Sequence, residues 1–217
     1  MKDACSGRSK LKVLDIGCGT GLGFRLLKST AADFDYTGVD VSPGMLQQFE
    51  DALRKSGDGS RARLLVCSAD GVMERVDGRL FDVIILTNTA ASFVGSPTAL
   101  LADCAALLEK RGVVVASFLN RRSLRRRLAG MRGGLERFRT RGSKLDGEGA
   151  RAVTVTEEEL RRRCAEVGLR VRWVRYQSVF GGVMEHRYAI PIEKAVKRLV
   201  PHLGHSINLL AESMKAV

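Results

Sequence analysis

The sequence predicts an α/β fold: a doubly wound, seven-stranded, mostly parallel sheet with helices on both faces and two inserts near the substrate mouth. Three observations carry that prediction. Short apolar runs alternate with amphipathic stretches at βα spacing, and right-handed crossovers then cover both faces of the sheet. The first apolar run leads straight into a glycine-rich turn, VLDIGCGTG (Val13–Gly21). After Phe118 the alternation breaks twice. We therefore expect a single domain over 1–217, with its core in 11–118 and 153–176 plus a final strand at 206–210, and inserts at 119–152 and 177–204.

Leu11–Ile16 is short, apolar and stopped by Gly17, as a buried strand should be. Leu22–Ala31 reads as a helix and Tyr36–Val41 as the second strand. Ser42-Pro43 opens the next helix, with serine as N-cap and proline at the first helical position, where its missing N–H costs nothing. Met45, Leu46, Phe49, Ala52 and Leu53 fall on one face of that helix. Arg63–Cys67 is the third strand and Phe81–Leu86 the fourth. Pro97–Lys110 is a helix with Leu101, Cys104, Ala105 and Leu108 inward, stopped by Gly112, and Val113–Phe118 is the fifth strand.

Arginine and glycine dominate Asn120–Ala152, which holds one basic helix (Arg122–Met131). Thr156 and Glu159 form a capping box; their helix buries Leu160, Cys164 and Val167 and ends at Gly168. Leu169–Tyr176 follows with period two, Leu169, Val171 and Trp173 on one face and Arg170 and Arg172 on the other. A helix near Ile192–Leu203 and a short last strand, Ser206–Leu210, complete the chain.

Composition narrows the class. No apolar stretch approaches the roughly 18 residues of a membrane span, and Met1–Lys10 lacks the apolar centre of a signal peptide, so we expect a cytoplasmic protein without membrane attachment. The five cysteines are scattered, with no C-x-x-C pair and no histidine at metal spacing. That argues against a zinc site or disulfide framework and predicts small buried hydrophobes. The formal net charge is +12. Such a field attracts polyanions and anionic substrates, and it also arises from arginine-rich codon usage.

Glycine costs roughly 0.5–1 kcal/mol relative to alanine inside regular structure, so Gly17, Gly19 and Gly21 imply a backbone that something approaches. At the carboxyl edge of a parallel sheet that something is commonly a nucleotide. A dinucleotide fingerprint requires G-x-G-x-x-G; here Leu22 and Phe24 stand where the third glycine would fall. A phosphate loop requires lysine followed by serine or threonine, and none follows.

An acid followed by G-x-G-x-G, Asp15-Gly17-Gly19-Gly21, resembles motif I of the class I S-adenosylmethionine-dependent methyltransferases. Asp40, in GVDVSPGML (Gly38–Leu46), and Asp70, in CSAD (Cys67–Asp70), stand at the next two strand ends; FDVIIL and GVVVASF resemble the fourth and fifth strands. The resemblance covers Leu11 to Phe118, with Thr156 to Tyr176 as the late helix and strand. It implies that Asp15 faces the cofactor's cationic end, that Asp40 accepts both ribose hydroxyls, and that Asp70 meets the adenine amino group. Val41, Ala69, Gly71 and Thr87 complete the implied cofactor site, and no metal is implied.

The acceptor is less legible. Relatives that methylate base amino groups often carry (N/D)-P-P-(Y/F) after the fourth strand, whereas this chain has Thr87-Asn88-Thr89-Ala90. Asn88 and Tyr188 are candidate substrate contacts and His186 is a candidate general base, with Glu185 an alternative polar group beside it. The favoured reading is methyl transfer to oxygen or nitrogen of a small, anionic metabolite, in specialised-product biosynthesis. An RNA methyltransferase gripping its substrate through the arginine-rich insert 120–141 is the alternative. A non-catalytic cofactor-binding interaction module is a further one.

Overall fold

In the computed structural model, which describes residues 10–30, 33–87, 90–124, 152–177, 198 and 200–215, the apolar runs become strands and the amphipathic stretches helices. In chain order these are β1 (Leu11–Ile16), α1 (Leu22–Lys28), β2 (Phe34–Asp40), α2 (Pro43–Ser56), β3 (Ala62–Val66), α3 (Val72–Arg75) and β4 (Phe81–Leu86). Then come α4 (Pro97–Leu107), β5 (Leu108–Asn120), β6 (Thr154–Val155), α5 (Glu157–Glu166), β7 (Leu169–Gln177) and β8 (Ser206–Ser213).

The sheet runs β3-β2-β1-β4-β5-β8-β7, and the two-residue β6 adds to the end of β5. Strands β1 to β5 are parallel; β8 is antiparallel to both β5 and β7. Because strand side chains alternate, two cores form. Leu14, Ile16, Ile84, Leu86, Val114 and Ala116 pack with α3, α4 and α5, while Val13, Tyr36, Val83 and Ile85 pack with α1 and α2. Each Val, Leu or Ile side chain among these contributes roughly 1.5–3 kcal/mol on burial. On the α1–α2 face, Phe24 sits edge-on to Phe34 and Tyr36, both at 5.3 Å, and to Phe49 at 5.7 Å.

The caps form as their residue types predict. Ser42 Oγ accepts from Met45 N–H at 3.3 Å, and Ser96 Oγ from Ala99 N–H at 3.2 Å. In the capping box, Glu159 N–H donates to Thr156 Oγ1 and Thr156 N–H donates to the Glu159 carboxylate. The carbonyls at the end of α4 are met from the far end of the chain: Lys215 Nζ donates to those of Ala106 and Leu108.

Several boundaries differ from the expectation. Helix α1 stops at Lys28, and α4 stops at Leu107 because Leu108 already pairs with Phe81; residues 109–112 then loop out through Arg111 at φ 60° before pairing resumes at Val113. The last strand extends to Ser213. Met45 and Ala52 are exposed, so α2 buries the narrower stripe Leu46, Phe49 and Leu53. Trp173 does not join Leu169 and Val171: a bulge between Val171 and Trp173 shifts the register, and Val174 and Tyr176 point inward instead. The sheet counts eight strands with β6 included. Most of the expected helix 122–131 lies outside the described residues, as does most of the one near 192–203; Pro201–Leu203 is a single 3-10 turn.

Candidate functional site

Parallel pairing brings the carboxyl ends of β3, β2, β1 and β4 to one edge, so Cys67–Gly71, Asp40–Val41, Gly17–Gly21 and Thr87 follow one another along it. The turn after β1 is stitched to β2 by its backbone. Gly17 N–H and Cys18 N–H both donate to the Val39 carbonyl, at 2.7 and 3.0 Å.

The glycines divide by physical cause. All three of the motif have left-handed φ: 77° at Gly17, 51° at Gly19 and 85° at Gly21. A Cβ at Gly17 would meet Ala90 Cβ at 2.8 Å, and one at Gly21 would strike the Phe49 ring. A Cβ at Gly23 would strike the Asp15 carboxylate. Only at Gly19, of these four, does a Cβ meet nothing within 4 Å. The protein's own packing accounts for three glycines, and the fourth opens outward. Sequence reasoning missed Gly23, although GCGTGLG continues the alternation one step further.

Asp40 couples the two turns. Its Oδ2 accepts from Gly19 N–H at 2.8 Å and its Oδ1 from Ser42 N–H at 2.9 Å. A carboxylate has about four lone-pair sites, so each oxygen keeps one for a ligand. Val41 beside it is an exposed apolar residue, 45% accessible. Asp70 is exposed on the 3-10 turn Ala69–Gly71; burial and then the Asp70 charge push the Asp103 carboxyl of α4 up.

Asp15 stands apart from these. It is 1% accessible, its Oδ2 accepts from Tyr36 O–H at 2.5 Å, and its Oδ1 has no hydrogen-bond partner among the described residues. Burial, opposed by the Tyr36 bond and aided by the Asp40 charge, pushes its carboxyl up to about 6. Burial also raises the Cys18 thiol and the Tyr36 hydroxyl. The acid therefore sits behind the turn and does not line the surface. No sequence pattern marked Tyr36 as its partner.

At the far end of β5, Asn120 is buried and spent on the backbone. Its Nδ2 donates to the carbonyls of His202 (2.8 Å) and Gly204 (2.7 Å), and its Oδ1 accepts from Arg122 N–H. Ser92 Oγ accepts from Leu119 N–H, and the Ser92 carbonyl from Val153 N–H. Arg121 pairs with Glu159 at 2.6 Å and Arg122 with Glu158 at 3.0 Å, so the first arginines of the insert are met by α5. Asn88, His186, Tyr188 and Glu185 lie outside the described residues, as do 125–151. A separate hollow of about 440 Å³ between α2 and β3 includes no residue of the glycine turn. Among the described residues no cluster could hold a metal ion, and no helix is long and apolar enough to cross a membrane.

Residues 13–112 match the model of a methyltransferase domain family. A malonyl-[acyl-carrier protein] O-methyltransferase of Acetivibrio thermocellus is 39% identical over 49 residues, which is 23% of this chain and 17% of that relative. The chain thus spans about a sixth of the length of the curated relative it matches. An S-adenosylmethionine-dependent methyltransferase from Archaeoglobus fulgidus superposes with TM-score 0.61 at 16% identity, over 94% of this chain and 86% of the other. The plantazolicin methyltransferase BamL, solved with a triazolic desmethylPZN analogue and SAH, gives TM-score 0.62 at 19% identity over 98% and 80%. A glycine turn opened at Gly19 and clamped by Asp40, on a sheet of this order and within the matched span, gives the chain the fold of the S-adenosylmethionine-dependent methyltransferases to which it is similar.

Proposed function

We propose that this chain transfers the methyl group of S-adenosylmethionine to oxygen or nitrogen of a small acceptor bearing negative charge, in the biosynthesis of a specialised product. The observation that carries the cofactor half is Gly19, left-handed and open outward, with its N–H held by Asp40. The residues present fit the cofactor: Asp40 retains acceptor sites for two hydroxyls, Val41 and Ala69 offer apolar surface, and Asp70 and Gly71 flank them at the next strand end. When bound, S-adenosylmethionine supplies a methyl group on a sulfonium, whose departure leaves a neutral thioether.

The chain's own part is positional. Asp40 and the turn hold one reactant at the edge, Thr87 borders it, and alignment of the reacting atoms supplies roughly 7–11 kcal/mol. Where the acceptor must lose a proton, His186 is the proposed base, worth roughly 10²–10⁴-fold, with Asn88 and Tyr188 as acceptor contacts. Asp15 acts from behind, as a buried negative charge braced by Tyr36.

Two facts support a small acceptor. The fourth strand is followed by Thr87-Asn88-Thr89-Ala90, without the prolines and aromatic that would hold a base. The similar proteins include one named for a carrier-bound malonyl group and one named for plantazolicin. The cytoplasm is the proposed compartment. RNA methylation is a second reading, and one observation favours it: the register shift in β7 turns Trp173 outward, with the Arg175 guanidinium against its ring.

Titration calorimetry tests the cofactor half. Wild type should bind S-adenosylmethionine, and Asp40→Ala should weaken binding at least about tenfold, given that hydrogen bonds to charged groups contribute roughly 1.5–3 kcal/mol. Equal affinity of the two would sink this map of the site.

A further inference from the structure

Strand β7 ends the sheet, and one of its faces is built from arginine and the chain's single tryptophan. Arg170 and Arg172 both reach Glu212 Oε2, at 3.1 and 3.4 Å, while their side chains stay 61% and 53% accessible. Three residues beyond Arg172, the Arg175 guanidinium lies 5.3 Å from the centre of the Trp173 ring. Trp173 pairs with Leu210 and remains 36% accessible; Arg175 pairs with Asn208 and is exposed. Two guanidinium groups thus share one carboxylate, and a third lies against the indole.

The bulge is what puts the indole there. Strict alternation from Leu169 and Val171 would send Trp173 into the core, and the register shift turns it onto the arginine face. Bulges commonly re-aim a side chain in this way. Arginine on an edge strand also blocks unwanted sheet pairing, but charge alone performs that task and requires no outward indole.

We propose that this face binds single-stranded nucleic acid, with backbone phosphates on Arg170, Arg172 and Arg175 and a base stacked against Trp173. Guanidinium forks match phosphate bidentately, and residues two apart on a strand stand about 6.6 Å from each other, comparable to one extended nucleotide. An acidic protein surface would use the arginines and leave the indole idle. The net charge of +12 adds long-range attraction for a polyanion. Because β7 runs parallel to β5, the strip leads toward the edge that carries the glycine turn. Binding at the strip does not depend on the methyl-transfer reading, and its test needs no cofactor.

The single tryptophan makes the experiment direct. An oligouridylate of roughly 12 nucleotides, within the usual span of single-strand sites, should quench Trp173 fluorescence as it binds. With a labelled oligouridylate followed by anisotropy, Trp173→Leu should weaken affinity roughly 5- to 150-fold, the range expected for loss of one stacked base. Replacing the three arginines by serine should flatten the dependence of log K on log salt by about 2. Arg175→Ser, which leaves Glu212 and its partners intact, guards against misfolding and should flatten the slope by about 0.7. The proposal is overturned by binding without quenching, by unchanged affinity in Trp173→Leu, or by polyglutamate competing as well as the oligonucleotide.

Discussion

Asp15 is a carboxyl that the fold holds at a cost. Its pKa of about 6 lies above the ordinary value of about 3.9 in an unfolded chain, so the native state binds the proton more tightly. The associated stability is fully present below about pH 4 and is lost as pH rises through about 6, a change of about 3 kcal/mol from the shift alone. Asp58 and Glu159, whose carboxyls are held below their ordinary range, slope the other way. The diagnostic is therefore the difference between proteins: denaturant titrations at pH 4, 6 and 8 should show Asp15→Asn gaining on wild type as pH rises. Tyr36→Phe should do the opposite, losing about 1.5–3 kcal/mol at neutral pH, because it removes the hydrogen bond that Tyr36 donates to the charge. Parallel curves for wild type and Asp15→Asn would refute the assignment.

Elements were legible wherever local chemistry decides them. Phe81–Leu86 is uniformly buried and has the bounds its apolar run implies, and Thr156 with Glu159 sets the start of α5. Thr156→Ala should lower stability by about 1 kcal/mol, and Thr156→Ser should restore most of it, read from denaturant midpoints. The errors came where partners remote in sequence intervene. Helix α4 ends early because Leu108 is taken by Phe81 and because Lys215 supplies its terminal donors. Trp173 turns outward through a register shift against β8, which no period within β7 could reveal. The same holds at the site. The alternating glycines announced the turn, but that Phe49, Ala90 and Asp15 fix three of them depends on what folds beside them.

At the scale of the molecule, Asn120 joins positions 82 and 84 residues away through its two carbonyl contacts. The sequence reading had it as the first residue of a basic insert; its burial shows it to belong to the sheet. Asn120→Ala would leave two carbonyls without their donor, at about 1–3 kcal/mol apiece where water cannot replace it. Limited proteolysis should then cut faster within 200–206 while cleavage within β1–β4 stays unchanged, and Asn120→Asp should be worse, since it sets a carboxylate against two carbonyl oxygens. Uniform acceleration across the chain would show a general loss of stability in place of a local one.

That latch also defines how the chain could be re-engineered. Residues 121–124 follow directly on Asn120, and 202–204 carry the carbonyls that Asn120 holds, so the described chain meets one shared anchor in the sheet at both places. Sequence grafted between 124 and 152, or between 177 and 200, would form a cassette on that one socket. A graft that preserves Asn120 and the backbone from 202 to 206 keeps the socket, whatever sequence fills the cassettes.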